Sequence, residues 1–569
     1  MSLSMFNNLC QNVLKLIGNR LVSLRVILNN AIDGWSIVSS SLKYHQTTLL
    51  QRLHLIDIEP HEFDNLLCNP LIKQVHTLLV DVTPSNPFNY LEIEGVYLAK
   101  VCSQLPRLIN CRLPSNVCYK NSYKLDKYSA VPMMSLPNLL HTTRLRRLTI
   151  GMHTSRFLER LISCIPFIEN LSVGVKDLLM NGNNSFKVNT IPATVNTHLV
   201  YLSRLHIDCT NSISFHRTIV LLSFVFGQLN HLSVKLVAIV EISSPLVISG
   251  DVIQQSCIDR LKPLATYNLN LELDVSNDLE EKIILNSFCN VPFTNRQRPR
   301  VFIQERGNYY SGHHYHCFTV FTSPCNDTIL PIYLFCRGLE KSCQMPINAI
   351  DMFPRANELF LTGYRKETCI SELGNFRSSI SSLVPWPLLT KISIDEGDIV
   401  TTTELESILR MAYNVHTLDI WEDNGIFSHA ILHNLDNLGT RVNQQIKTLV
   451  MDDISLTFKN AEQFCKLLSN QLSNLKVVFF NIYGSYDGWY WKSSRTVDAE
   501  HESTKCILNL IHFLVDHLQQ LVSLHIRFID FDCYETPCIP DIIQQQLHQY
   551  LLNRPYRLRC STKSIEIWL

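Results

Sequence analysis

Residues 145–173 read LRRLTIGMHTSRFLERLISCIPFIENLSV. Leu145, Leu148 and Ile150 open the stretch at the spacing apolar-x-x-apolar-x-apolar, and Ile168, Leu171 and Val173 restore that spacing at its end. Side chains two apart on a strand share a face, so each hexad predicts a short strand with one apolar side. Between the hexads, Phe157, Leu158, Leu161 and Ile162 recur at three- and four-residue intervals, the pattern of an amphipathic helix. A strand and a returning helix therefore fit within a step of 23 residues (145 to 168).

The same hexad recurs along most of the chain. Leu21/Leu24/Val26, Leu50/Leu53/Leu55 and Val75/Leu78/Val80 precede this stretch, and Leu202/Leu205/Ile207 and Leu229/Leu232/Val234 follow it. After a gap come Ala356/Leu359/Leu361, Leu389/Ile392/Ile394, Val415/Leu418/Ile420, Ile446/Leu449/Met451, Leu475/Val478/Phe480 and Leu521/Leu524/Ile526. Steps such as 29 (21 to 50), 34 (168 to 202) and 31 (415 to 446) sit at or just above the ~20–29 residues of a leucine-rich repeat. Phe63-Leu66-Leu67, Tyr97-Val101-Leu105, Leu405-Ile408-Leu409 and Phe464-Leu467-Leu468 predict further returning helices. One such unit cannot bury its own apolar face, whereas stacked units share a core. The expected fold is α/β: a leucine-rich-repeat solenoid of irregular repeats, with a curved parallel sheet on the concave side and helices on the convex side. An N-terminal arc is expected over 1–261 and a C-terminal arc over 351–569. Between them, 262–350 breaks the pattern and reads as irregular repeats or an inserted piece of sheet. The step from Leu475 to Leu521 is 46 residues, so 481–505 reads as a surface insertion.

Composition agrees with a folded repeat array. Leucine occupies about one position in seven of the 569 residues. With 46% hydrophobic and 18% charged residues the chain is not disordered. Fifty Lys and Arg balance fifty Asp and Glu, which argues against a general nucleic-acid or anionic-membrane binder. No secretory leader and no membrane span are expected, since the apolar run at Thr218–Phe226 is far shorter than the ~20 residues a span needs. The 19 cysteines are odd in number and scattered, as expected of reduced thiols in the cytoplasm or nucleus.

LPNLLHTTRLRRLTI (136–150), IPFIENLSV (165–173), FPRANELFL (353–361) and VPWPLLTKISI (384–394) resemble the leucine-rich-repeat half of F-box/leucine-rich-repeat proteins, the substrate receptors of cullin-RING ubiquitin ligases. FNNLCQNVLKLIGNRLVSLRV (6–26) is similar to the segment that follows the F-box in such chains. The resemblance implies non-catalytic recognition of a protein substrate. With the first strand expected at Leu21, no F-box is visible ahead of it, so attachment to a cullin adaptor has no visible determinant.

Chemistry-bearing motifs are sparse. The chain has no phosphate-binding loop, zinc-protease helix motif or serine-hydrolase elbow, so no catalytic residue and no cofactor is expected. His313, His314, His316, Cys317, Cys325, Cys336 and Cys343 could hold zinc, the basis of an alternative reading as a zinc enzyme. Their spacing lacks a Cys-x-x-Cys knuckle, and no metal site is expected there. RLRR (144–147) reads as a solvated basic face.

Recognition is assigned to the residues that alternate with the core positions. They run from Arg52, His54, Arg147 and Arg204 in early strands to Asp395, Asp419, Trp421, Asp452, Phe479, His525 and Arg527 in late ones. Trp421, Val450 and Phe479 are apolar where exposed positions are expected, and the nearby loop adds Tyr483, Trp489, Tyr490 and Trp491. Aromatic anchors dominate interface energetics, so this face and the 481–505 loop are the expected protein-binding surface. A scaffold role independent of ubiquitin is the other reading of the same surface.

Overall fold

A computed structural model describes residues 1–29, 31–43, 49–83, 86, 88, 95–114, 142–152, 154–177, 199–240, 246–275, 278–290, 300–310, 313–333, 339–341, 348–362, 384–394, 402–422, 444–453, 456–483, 497–529 and 540–569. The nine strands β1 (Ser23–Ile27), β2 (Arg52–Ile56), β3 (Thr77–Asp81), β4 (Asn110–Arg112), β5 (Arg147–Met152), β6 (Asn170–Val175), β7 (Arg204–Cys209), β8 (His231–Val240) and β9 (Thr266–Val275) lie side by side in chain order, every pair parallel. In all thirteen predicted hexads the second and third apolar residues lie on strands, and the first stands just ahead of the strand. In the first sheet the second apolar places stand in one register line, Leu24 beside Leu53, then Leu78, Cys111, Leu148, Leu171, Leu205, Leu232 and Tyr267. β4 and β9 are additional rungs in which Cys111 and Tyr267 take the leucine place.

The irregular segment holds β10 (Arg300–Tyr310), β11 (His313–Ser323), β12 (Ile329–Tyr333) and β13 (Leu339–Lys341). β10 and β11 form an antiparallel hairpin laid on β9, and β13 closes that edge. β12 instead opens a second, nine-stranded sheet by pairing parallel with β14 (Glu358–Thr362). This sheet continues through β15 (Lys391–Ile394), β16 (Thr417–Glu422), β17 (Thr448–Asp453), β18 (Val477–Tyr483) and β19 (Ser523–Ile529), all parallel. An antiparallel hairpin, β20 (Arg557–Cys560) and β21 (Ser564–Trp568), ends it. The fold is thus α/β with two largely parallel sheets.

Helices connect most strands and cover one face of each sheet. Ser155–Cys164 starts where Thr154 accepts a hydrogen bond from the Phe157 amide (3.3 Å), and it buries Phe157, Leu158, Leu161 and Ile162. Asn211 and Ser214 form a capping box at the start of Ser212–Leu222. The predicted insertion over 481–505 is corrected at both ends. Asn481–Tyr483 ends β18, and Val497–His517 is a 21-residue helix that buries Ile507, Ile511 and Leu514. Arg554 closes that helix by donating to the carbonyls of Val515 (2.7 Å) and Leu521 (2.9 Å) among others, satisfying acceptors that a helix end leaves free. Among the described residues no helix is long and apolar enough to cross a membrane.

The buried side chains form two clusters. One runs from Leu3 to Val320 and the other from Phe321 to Leu569. Trp568 is the exception: it lies on the last strand yet packs in the first cluster, its ring edge-on to Phe6 at 5.3 Å. Leu3 N–H donates to the Leu569 carbonyl, Arg557 donates to the Ile32 carbonyl (3.1 Å), and Arg559 pairs with Glu59. In the middle of the chain, Phe321 on β11 of the first sheet packs against Phe353 (5.4 Å) ahead of β14 of the second. The two halves therefore meet twice, once mid-chain and once where the first and last segments touch.

Candidate functional site

The face away from the helices carries the residues that alternate with the core. On the second sheet, register places Ser393, Asp419, Val450, Phe479, His525 and Glu566 in one row across β15–β21. The next row holds Trp421, Asp452, Asn481 and Arg527; Trp421 faces Asp452 across one pairing and Asn481 faces Arg527 across another. Strands are ~4.8 Å apart, so residues 26 to 46 positions apart in sequence become neighbours. Asp419, Trp421, Asp452, Phe479, His525 and Arg527, all predicted from the sequence, are brought onto this one face. Asp395, Trp489, Tyr490 and Trp491 lie outside the described residues. Tyr483, expected in the loop, is buried at the end of β18 with its hydroxyl donating to Asp452.

Trp421 is 41% exposed, a large apolar side chain that this face offers to solvent, as is Ile329 on β12. Phe479 is half-buried, its ring perpendicular to that of His525 with centroids 4.5 Å apart. His525 is pushed down to about 4, first by burial and then by Arg527 and Arg559, so it is neutral at neutral pH. Its Nε2 lies 3.8 Å from Glu566 Oε1, too far for a hydrogen bond. Burial works against the charge of Lys391, but Asp419 (3.2 Å) and Glu358 (3.0 Å) outweigh it and hold its pKa above the ordinary lysine value. Ser393 also donates to Glu358 (2.7 Å). Asp419 is therefore tied to Lys391.

On the first sheet, Asp81 sits between His54 (2.7 Å) and Arg112 (2.9 Å). The predicted drift from basic to acidic residues is thus partly neutralised by pairs between adjacent strands. A polar cluster that the sequence reading missed lies across β7–β9. Asp208, Lys235 and Asn270 share a row; Lys235 is 3.5 Å from Asp327, and Asn270 donates to the same carboxylate. Burial pushes Asp208 up to about 6, Lys235 pulls it back, and Asp327 pushes it further up. The alternation of Asp208 and Lys235 with core positions was visible in sequence, but Asp327 lies 92 residues beyond Lys235 and only the β11–β12 turn brings it in.

His313, His314, His316 and Cys317 lie on β11, and Cys336 and Cys343 fall outside the described residues. Cys325 is a free thiol pushed up to about 11 by burial and then by Asp327. Among the described residues no group of His, Cys, Asp or Glu could hold a metal ion. Comparison with known proteins gives no match to any family model and no match among curated proteins.

Proposed function

We propose that the chain is a leucine-rich-repeat solenoid, sheets inward and helices outward, that recognises a protein partner without catalysing a reaction. The repeat reading is supported by strands that follow chain order with their leucines in constant register. The observation that carries the recognition reading is Trp421, half in solvent on a face whose neighbouring strands add Val450 and Phe479 and whose flank is Asp452 and Arg527. An exposed aromatic beside apolar neighbours and a charged rim is the composition of a protein-binding hot spot. The F-box/leucine-rich-repeat resemblance makes the partner a ubiquitin-ligase substrate. Eleven of the described cysteines are free thiols, which supports a reducing compartment, the cytoplasm or nucleus.

The test compares proximity labelling in cells by the wild-type chain, Trp421→Ala and Met411→Ala, the last an exposed apolar residue on the helix side. Proteins lost only with Trp421→Ala are the partners, and purified Trp421→Ala should bind the foremost of them about 30-fold more weakly, equivalent to ~2 kcal/mol. Equal binding by Trp421→Ala and wild type refutes the assignment of this face.

A further inference from the structure

The first strand positions of the twelve-stranded sheet hold a second surface, separate from the Trp421 face. Register aligns the residue that starts each strand from Ser23 on β1 to Thr266 on β9, and no carboxylate stands in that row. Arg52, Arg147 and Arg204 are its exposed cations, with Thr77, Asn110 and Asn170 between them. Three inter-strand spacings separate the first two arginines, ~14 Å, and two spacings separate the next two, ~10 Å. Arg107 and Arg144, in the turns that lead into β4 and β5, are exposed at the same end.

In the neighbouring rows of this face His54 and Arg112 share Asp81, and Lys235 meets Asp327. Among the described residues, none of Arg52, Arg107, Arg144, Arg147 and Arg204 meets a carboxylate. Five unpaired guanidinium groups thus gather at one end of one sheet in a chain with no net charge. The turns at this end also expose apolar side chains: Ile109, Phe167, Val200 and Tyr201, the last 58% exposed.

We propose that this row binds an acidic polypeptide segment containing aromatic residues, laid across β2–β7. Carboxylates would answer the arginines, and apolar side chains would pack beside Ile109, Val200 and Tyr201. A nucleic acid fits less well. Arg146 already lies over the Phe167 ring at 5.4 Å and Tyr201 tilts against that ring at 5.9 Å, so Phe167 is engaged and a run of free rings for successive bases is not formed by this pair.

The test is fluorescence anisotropy with the full chain and a labelled glutamate–tyrosine copolymer, with labelled oligothymidylate as the second probe. Wild type should bind the copolymer, more weakly as salt is raised, and bind oligothymidylate less well. Arg147→Glu/Arg204→Glu should weaken copolymer binding by about tenfold or more. Lys282→Glu, a single charge reversal on the helix Asp278–Asn290, should leave it unaltered. If circular dichroism shows the reversal variant misfolded, Arg147→Gln/Arg204→Gln carries the comparison. The proposal is overturned if wild type fails to bind the copolymer, if the arginine variants bind it as wild type does, or if oligothymidylate binds more tightly through the same arginines.

Discussion

Replacing Trp568 by alanine tests whether the first and last segments hold each other. The Trp568 side chain is 2% exposed, its ring meets Phe6 edge-on, and its Nε1–H donates to the Met1 carbonyl at 3.2 Å. Truncating a buried tryptophan costs about 3–5 kcal/mol, and the lost hydrogen bond adds about 1 kcal/mol. Trp568 pairs through its backbone with Ser523 and Arg557, so the strand can stay in place while the side-chain contact to the N-terminal core disappears. The cost should therefore fall on the seam. Hydrogen exchange followed by mass spectrometry should show residues 3–14 losing about two orders of magnitude of protection, equivalent to about 3 kcal/mol, while β5–β8 keep theirs. Unchanged protection at 3–14, or a loss spread evenly over β5–β8, refutes the reasoning.

Three further substitutions probe single contacts. Glu62 is buried and accepts from the amides of Trp35 (2.9 Å) and Ser36 (3.3 Å), which begin the preceding helix Gly34–Leu42. Glu62→Ala should cost about 2–4 kcal/mol in urea unfolding, whereas Glu62→Gln, which keeps an acceptor and removes a charge whose pKa burial has raised, should cost under about 1 kcal/mol. Equal losses would contradict this capping role. Asp208 binds its proton more tightly folded, at about 6, than the ~3.9 of an unfolded aspartate. The stability this confers is complete below the unfolded pKa and is lost as pH rises through about 6, a change on the order of 3 kcal/mol. Asp208→Asn should flatten the stability–pH curve between those values, and an unaltered slope would be the contrary result. An added Cβ at Gly250 would stand 2.3 Å from the Ser287 carbonyl oxygen, so Gly250→Ala should destabilise by about 1–3 kcal/mol, and a neutral outcome would mean that the backbone there yields.

The strands were readable from sequence because a parallel sheet built in chain order repeats one local pattern. Where the pattern uses substitutes for leucine, the repeat is no longer visible in the sequence. Leu108/Cys111/Leu113 is a full hexad with a thiol in the leucine place, and β9 carries Tyr267 and Leu269 after the buried Ala265. The helix Val497–His517 was legible in Ile507, Leu510, Ile511 and Leu514, but the 46-residue step drew attention to the aromatic run ahead of it. For the candidate site, alternation marked which residues leave the core, and six of the predicted residues share a face. Which charges cancel was not legible, because Lys391–Asp419 and His54–Asp81 pair across strands whose sequences are 28 and 27 residues apart. The seam left no signal at all. Arg559 and Glu59 stand 500 positions apart, and no period links them.

The claim on which the rest depends is that residues some thirty positions apart stand shoulder to shoulder, in register, on one sheet. Cysteine pairs read this directly, since a disulfide needs Cα atoms within ~7 Å and adjacent parallel strands provide that, whereas strands two apart are ~10 Å away. Under mild oxidation, peptide mapping should find the bond in Val450→Cys/Phe479→Cys, a registered pair on β17 and β18, and not in Asp419→Cys/Phe479→Cys, which spans two strands. Bond formation in the second variant and none in the first would contradict the register and dissolve the face that Trp421 occupies.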